Sequence, residues 1–162
     1  MVWPEGIASR EAVTADVDDL VAIDRAAVEF SLGRRFPAEL SSYPEQDVRG
    51  MWTEFFDRTD ARCLIATKND AAVGFIAWAD GQLVDLAVDP LVTRRGIGGA
   101  LLREATSALL ADGNDALVWV LEDNSSAIAF YVHHGWKFTG SSRIAVYAPY
   151  STEVEMTTGR AD

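Results

Sequence analysis

The stretch 86–102, LAVDPLVTRRGIGGALL, decides how this chain is read. Its apolar start, ending at Val88, reads as a strand. Gly96, Gly98 and Gly99, with Arg94 and Arg95 beside them, then stand directly before a helical pattern: Ile97, Leu101, Ala105 and Leu109 recur four apart, Leu102 and Ala108 lie alongside, and Gly113 falls just past the end. A strand that runs through a glycine turn into a helix gathers unbonded N–H groups and the positive end of a helix dipole at one point, which suits a phosphate or pyrophosphate. Glycines keep side chains out of the way. A phosphate-binding P-loop is excluded, because no Gly-Lys-Ser/Thr ending follows, and a dinucleotide fingerprint would need glycine at 101, where the chain has Leu101.

Outward from this turn the elements alternate in a definite order. Upstream, RCLIAT (62–67) and AAVGFIAWA (71–79) flank KND as a hairpin, and GQ turns the chain into LVDLAV (83–88). Downstream, ALVWVL (116–121) is an unbroken apolar run, which predicts a strand buried on both faces. NSSAIAFYVHHG predicts a short helix with Asn124 as its cap and Gly135 as its stop, and WKFTG and TEVEMTT are two closing strands. Nearer the start, IASREAV (7–13) reads as a strand. Residues 14–30 read as a helix capped by Thr14 or Asp16, with Val17, Leu20, Val21, Ala27 and Val28 at helical spacing. A loop with Gly33, Pro37 and Pro44 follows, then a second helix over about 45–58. An antiparallel meander that feeds a strand–helix–strand crossover predicts an α/β mixed sheet containing one parallel pair.

Composition narrows the function. Fourteen basic against 25 acidic side chains give a net charge of −11, which repels nucleic-acid backbones and anionic membrane surfaces. Two arginines at the turn can still act locally, within a Debye length of about 8 Å. No apolar run approaches a membrane span and MVWPEG lacks the features of a signal peptide, so a cytoplasmic location is expected. One cysteine and two histidines offer little for a metal site, and none is expected. The length suits a single domain, 1–162.

AVDPLVTRRGIG resembles the central motif of the GNAT superfamily of acyl-CoA-dependent N-acetyltransferases, Q/RxxGxG/A after a strand ending like V-x-P. Gly96 and Gly98 match its glycines, and Thr93 stands at the leading position. NSSAIAFYVHHGW resembles a second motif of the family, N-x-x-A…FY…G-F, through Asn124, Ala127, Phe130, Tyr131 and Gly135, with Trp136 in the last place. The resemblance covers roughly residues 7–158. It implies a mostly antiparallel sheet of about six to seven strands with a splayed parallel pair in its middle, and about four helices.

The same resemblance implies transfer of an acetyl group from acetyl-CoA, as co-substrate, directly to an amine acceptor. The coenzyme pyrophosphate would be held at Arg94, Arg95, Gly96, Ile97, Gly98, Gly99 and Ala100. The pantetheine would lie along Leu86, Ala87 and Val88, with the Val88 N–H facing the thioester oxygen. Asn124 and Ala127 would lie near the coenzyme, although Asn124 also suits a helix cap. Tyr131 would hydrogen-bond the departing thiolate. For the general base, Asp85 and Glu122 are the candidates, water being a third. His133 and His134 at a helix end, and Cys63 in a strand, read as structural. Arg34, Arg35 and Glu39 could face the acceptor, which is open among antibiotics, amino acids, polyamines and peptide or protein amines. Trp136, Tyr147 and Tyr150 could serve a homodimer interface. A GNAT-fold module that binds acyl-CoA without catalysis is the alternative reading.

Overall fold

A computed structural model of the chain describes residues 2–32, 43–92, 95–113, 115–146 and 150–159. The sheet grows from short connections. β1 (Ile7–Glu11) leads through a 3-10 turn (Thr14–Asp16) into α1 (Val17–Leu32), and α2 (Glu45–Asp57) precedes β2 (Arg62–Lys68), β3 (Ala71–Ala79) and β4 (Gln82–Val88). The two hairpin turns, Asn69-Asp70 and Asp80-Gly81, have positive φ at both residues (51° and 65°, 51° and 74°), the geometry whose twist matches that of paired strands. The second turn therefore falls on Asp80-Gly81, not on Gly81-Gln82 as expected, and Gln82 opens β4.

A second 3-10 turn, Pro90–Val92, joins β4 to α3 (Ile97–Ala111), followed by β5 (Ala116–Leu121), α4 (Ser125–His133), β6 (Lys137–Ile144) and β7 (Thr152–Thr158). The seven strands lie in the order β1-β2-β3-β4-β5-β7-β6, antiparallel throughout except for β4 and β5, which are parallel. This is the mixed sheet expected from the sequence, with four α-helices.

Alternation along β2 and β3 explains the layers. Cys63, Ile65, Phe75 and Ala77 pack on one face under α1 and α2, around Leu20, Trp52 and Phe55; Leu64, Ala66, Ile76 and Trp78 pack on the other under α3 and α4, around Leu101, Leu102 and Ala105. Trp52 is fully buried, its ring edge-on to Phe55 and Phe75 at 5.3 and 5.4 Å. Cys63 is buried as expected.

β4 breaks its own alternation. Leu83 pairs with Trp78 and Asp85 with Ala77, so Val84 is an extra residue, a β-bulge. Leu83 consequently joins the α3 side, whereas Asp85 and Ala87 turn toward α1.

Three expectations are corrected here. β5 is buried on one face only: Ala116, Val118 and Val120 are in the core, whereas Leu117, Trp119 and Leu121 are partly exposed, because α1 packs over β3 and β4 and the Arg143 guanidinium, 4.3 Å from the Trp119 ring, covers that side of β5. Neither Thr14 nor Asp16 is the residue before the first turn. Asp16 instead reaches back to the Val13 N–H (2.8 Å) and pairs with both Arg10 Nη atoms (2.9 and 2.8 Å). Trp136 is 2% exposed and packs edge-on to Tyr131 at 5.3 Å, so it is core and not a contact surface; Tyr150 is exposed and Tyr147 lies outside the described residues.

Candidate active site

β4 and β5 start together and part. Gln82 and Leu117 are their one registered pair, with the Leu117 N–H donating to Gly81 O at 3.1 Å. Beyond that point β4 stays bonded to β3, with Leu86, Ala87 and Val88 opposite Ile76, Phe75 and Gly74, while β5 follows β7. A wedge opens between them, edged on the β4 side by the backbone of Leu86–Val88. Such a strand edge is a template for an extended chain.

The wedge ends at the start of α3. Gly96 precedes the helix at φ 81°, a left-handed conformation that glycine adopts without a Cβ penalty. The Ala100 N–H donates to Gly96 O (3.0 Å), so Ala100, expected among the ligand amides, has its donor committed. Ile97, Gly98 and Gly99 precede that bond and have no acceptor within the helix. The Ile97 and Ala100 side chains are buried in the core. Arg95 is exposed beside the turn, and Thr93 and Arg94 lie outside the described residues, as do Arg34, Arg35 and Glu39.

These amides face a groove of about 630 Å³, floored by Gly96–Gly99 and walled by Val88, Val92, Arg103, the α4 residues Ser126, Phe130 and His133, and His134 just after α4. Such a volume suits a small-molecule site. A Cβ on Gly98 would enter between the Phe130 ring (3.6 Å) and Val88 Cγ2 (3.7 Å); one on Gly99 would come within 3.0 Å of His134 Nε2 and 3.2 Å of Arg103 Nη1. His134 Nδ1 is bonded to Phe130 O at 2.7 Å, which orients the ring. The histidines expected to be purely structural thus line the groove. Arg103, absent from the sequence reading, adds a cation one helical turn after Gly99.

Asn124 caps α4 by accepting the Ala127 N–H at 3.2 Å, which uses the Ala127 amide as well. Tyr131, on α4, is 6% exposed between Phe130 and Trp136. Burial first, and then the charge of Asp85, push its hydroxyl above the ordinary tyrosine range. Glu122 is exposed beyond the end of β5, its N–H bonded to Thr152 O at 2.9 Å.

Asp85 also has a partner that sequence reasoning missed. Asp24 on α1 is 9% exposed, and its Oδ2 accepts a short hydrogen bond from Tyr43 Oη. Burial first, then the charge of Asp24 and hydrogen bonding with it, hold the Asp85 carboxyl well above the usual carboxylate range. A signal was available: Asp24 falls in the stripe 17, 20, 21, 24, 27, 28 whose other members are apolar.

The sequence profile of the acetyltransferase (GNAT) family matches residues 30–136, from the end of α1 to Trp136. The chain belongs to this family. Solved structures share its fold. The PaiA N-acetyltransferase of Thermoplasma acidophilum, in complex with coenzyme A, superposes with a TM-score of 0.70 at 19% identity, over 94% of this chain and 99% of that one. YjaB from Escherichia coli, in its apo form, gives 0.73 at 24% identity over 99% and 100%. The ribosomal-protein-S18-alanine N-acetyltransferase of Escherichia coli gives 0.71 at 20% identity over 96% of each. This GNAT acetyltransferase has, among its described residues, no helix long and apolar enough to cross a membrane.

Proposed function

We propose that this chain transfers an acetyl group from acetyl-CoA to a primary amine, with both substrates bound at once. The observation that carries the reading is the wedge between β4 and β5, which ends at the start of α3, where the amides of Ile97, Gly98 and Gly99 have no acceptor within the helix. Its parts fit the coenzyme: a strand edge for the pantetheine, and an unblocked helix start with Arg103, His133 and His134 nearby for the diphosphate. A similar fold in complex with coenzyme A supports this assignment.

The chain's own groups divide the work. The Val88 N–H is positioned to stabilise charge developing on the thioester oxygen, an effect of a few kcal/mol in comparable sites. Tyr131 acts as a hydrogen-bond donor to the departing sulfur. Because its hydroxyl is shifted upward from an ordinary value near 10, while a thiol lies near 8.5, it keeps its proton and does not transfer it fully. Of the two carboxylates, Asp85 is the base we assign. An ordinary carboxylate near 4 is a poor proton acceptor for an ammonium group, and its raised proton affinity narrows that gap. Glu122 is exposed beyond β5 and lies outside the network formed by Asp24 and Asp85.

The test is thiol release from acetyl-CoA across a panel of primary amines, with calorimetry of acetyl-CoA binding alongside. Binding together with amine-dependent release supports the assignment. Binding with release at the uncatalysed rate across the panel would leave a coenzyme-binding module, and no binding at millimolar coenzyme would refute the site.

A further inference from the structure

His134, the residue after α4, has its ring fixed at one nitrogen and open at the other. Nδ1 lies 2.7 Å from Phe130 O. A carbonyl oxygen only accepts hydrogen bonds, so Nδ1 carries a proton, and the neutral ring then leaves Nε2 bare, with its lone pair outward. That nitrogen faces the groove floor. A Cβ built on Gly99 would lie 3.0 Å from His134 Nε2 and 3.2 Å from Arg103 Nη1, so the two nitrogens border one point beside the start of α3. Neither has a hydrogen-bond or ion-pair partner among the described residues.

A phosphate oxygen presents only lone pairs, so it is repelled by a bare Nε2 and accepts a charge-assisted hydrogen bond from a protonated one. Arg103 supplies a fixed cation at the same point. We infer that His134 is a proton-gated ligand of the coenzyme diphosphate: it binds as imidazolium, opposite Arg103, and acetyl-CoA therefore draws a proton from solvent into the site. This deepens the coenzyme seat proposed above and rests on it. Nε2 gains the proton as the diphosphate arrives and returns it when coenzyme leaves, so a turnover consumes none. Among the described residues, the charged and titratable groups lining the two hollows that His134 borders are Arg103 from α3 and His133 beside it, 5.2 Å away between ring centroids. Both can add only positive charge, which a seated anion offsets. The effect falls on binding: alkaline pH should raise the KM for acetyl-CoA, and His134 should leave kcat at saturation untouched.

Calorimetry of the parent protein in two buffers of different ionisation heat tests this without a variant. The probe is acetyl-dephospho-CoA, which keeps the diphosphate and lacks the phosphate monoester that itself titrates near neutral pH. Expected are uptake of up to one proton per coenzyme and at least about tenfold weaker binding at about pH 8.5 than at about pH 6. Binding without proton uptake and with unchanged affinity over that range overturns the inference and leaves the seat standing; no binding of this probe or of acetyl-CoA at millimolar concentration overturns the seat itself. Two-bond 1H–15N spectra give a second readout, since the chain has two histidines. His134 should hold its proton on Nδ1 in the free protein at alkaline pH and protons on both nitrogens once the probe is bound at neutral pH; a proton on Nε2 in the free protein at alkaline pH would overturn the inference. His134→Gln, which keeps a donor but does not titrate, should abolish proton uptake, and His133→Gln should retain it. The reverse pattern would overturn the assignment to His134.

Discussion

Replacing Gly98 with alanine separates the proposed coenzyme seat from the stability of the fold. Gly98 is the second residue of α3, with ordinary helical geometry, and the new methyl would meet Phe130 and Val88 at 3.6 and 3.7 Å, normal van der Waals distances. The folded state therefore has room, and the change from glycine to alanine in a helix should be neutral or stabilising by up to about 1 kcal/mol. The same methyl stands on the groove floor and lifts a diphosphate off the amides of residues 97–99. Charge-assisted hydrogen bonds contribute about 1.5–3 kcal/mol each, so weakening one costs at least about tenfold in affinity. Calorimetric titration with acetyl-CoA beside a thermal melt reads both effects: the expected result is an unchanged or higher Tm with at least tenfold weaker binding. Gly99→Ala is the contrast, because its Cβ would meet His134 Nε2 at 3.0 Å and something must move; both Tm and binding should fall. If Gly98→Ala binds acetyl-CoA as tightly as the parent, the turn is not the seat of the diphosphate.

Three further outcomes are expected. Tyr131→Phe should lower turnover by roughly 10²-fold with little change in coenzyme affinity, read by steady-state kinetics and calorimetry; unchanged turnover removes the hydroxyl from the mechanism. Arg103→Ala, at an exposed position on the groove wall, should weaken acetyl-CoA binding and flatten its salt dependence while leaving the melting temperature in place. Asp16→Ala should cost about 1–2 kcal/mol, since it removes the bidentate Arg10 contact and the Val13 N–H bond. The Arg10 hydrogen bonds depress the Asp16 carboxyl in the folded protein, so its contribution is full above the unfolded value near 3.9 and is lost as pH falls through the lower folded value. Denaturant melts between pH 6 and about 2 should converge for parent and variant at the acid end.

Much of the fold was legible because it is written in local rules. Two-residue turns with Asn, Asp and Gly, the four-residue spacing of Ile97, Leu101, Ala105 and Leu109, and the Asn124 and Gly135 boundaries each act within a few residues. What failed depends on neighbours distant in sequence. The apolar run of β5 predicts two covered faces, but how far α1 reaches across the sheet decides that one face meets Arg143 instead. Trp136 reads as a surface aromatic until Tyr131 and Met156 are packed around it in the core.

The site divides in the same manner. The placement of the glycine turn at the start of α3 and of Tyr131 on α4 is legible because backbone access and a helical motif leave marks in sequence. The burial of Asp24 is not, because an acidic residue in a helix is usually solvated, although its place in an apolar stripe argues otherwise. Which amides lack an acceptor within α3 follows only once the Ala100 N–H is seen to close on Gly96 O.

The extra residue at Val84 comes two positions after Gln82, the last point at which β4 and β5 run in register. A bulge bends its strand and adds local twist, so one irregularity accounts both for the divergence at the proposed pantetheine site and for the inward aim of Asp85, the proposed base. On that proposal, cleft width and base orientation are mechanically linked. Laboratory evolution toward bulkier acyl donors that remodels this bend should also displace the pH optimum, whereas remodelling the far rim of the groove should leave it in place.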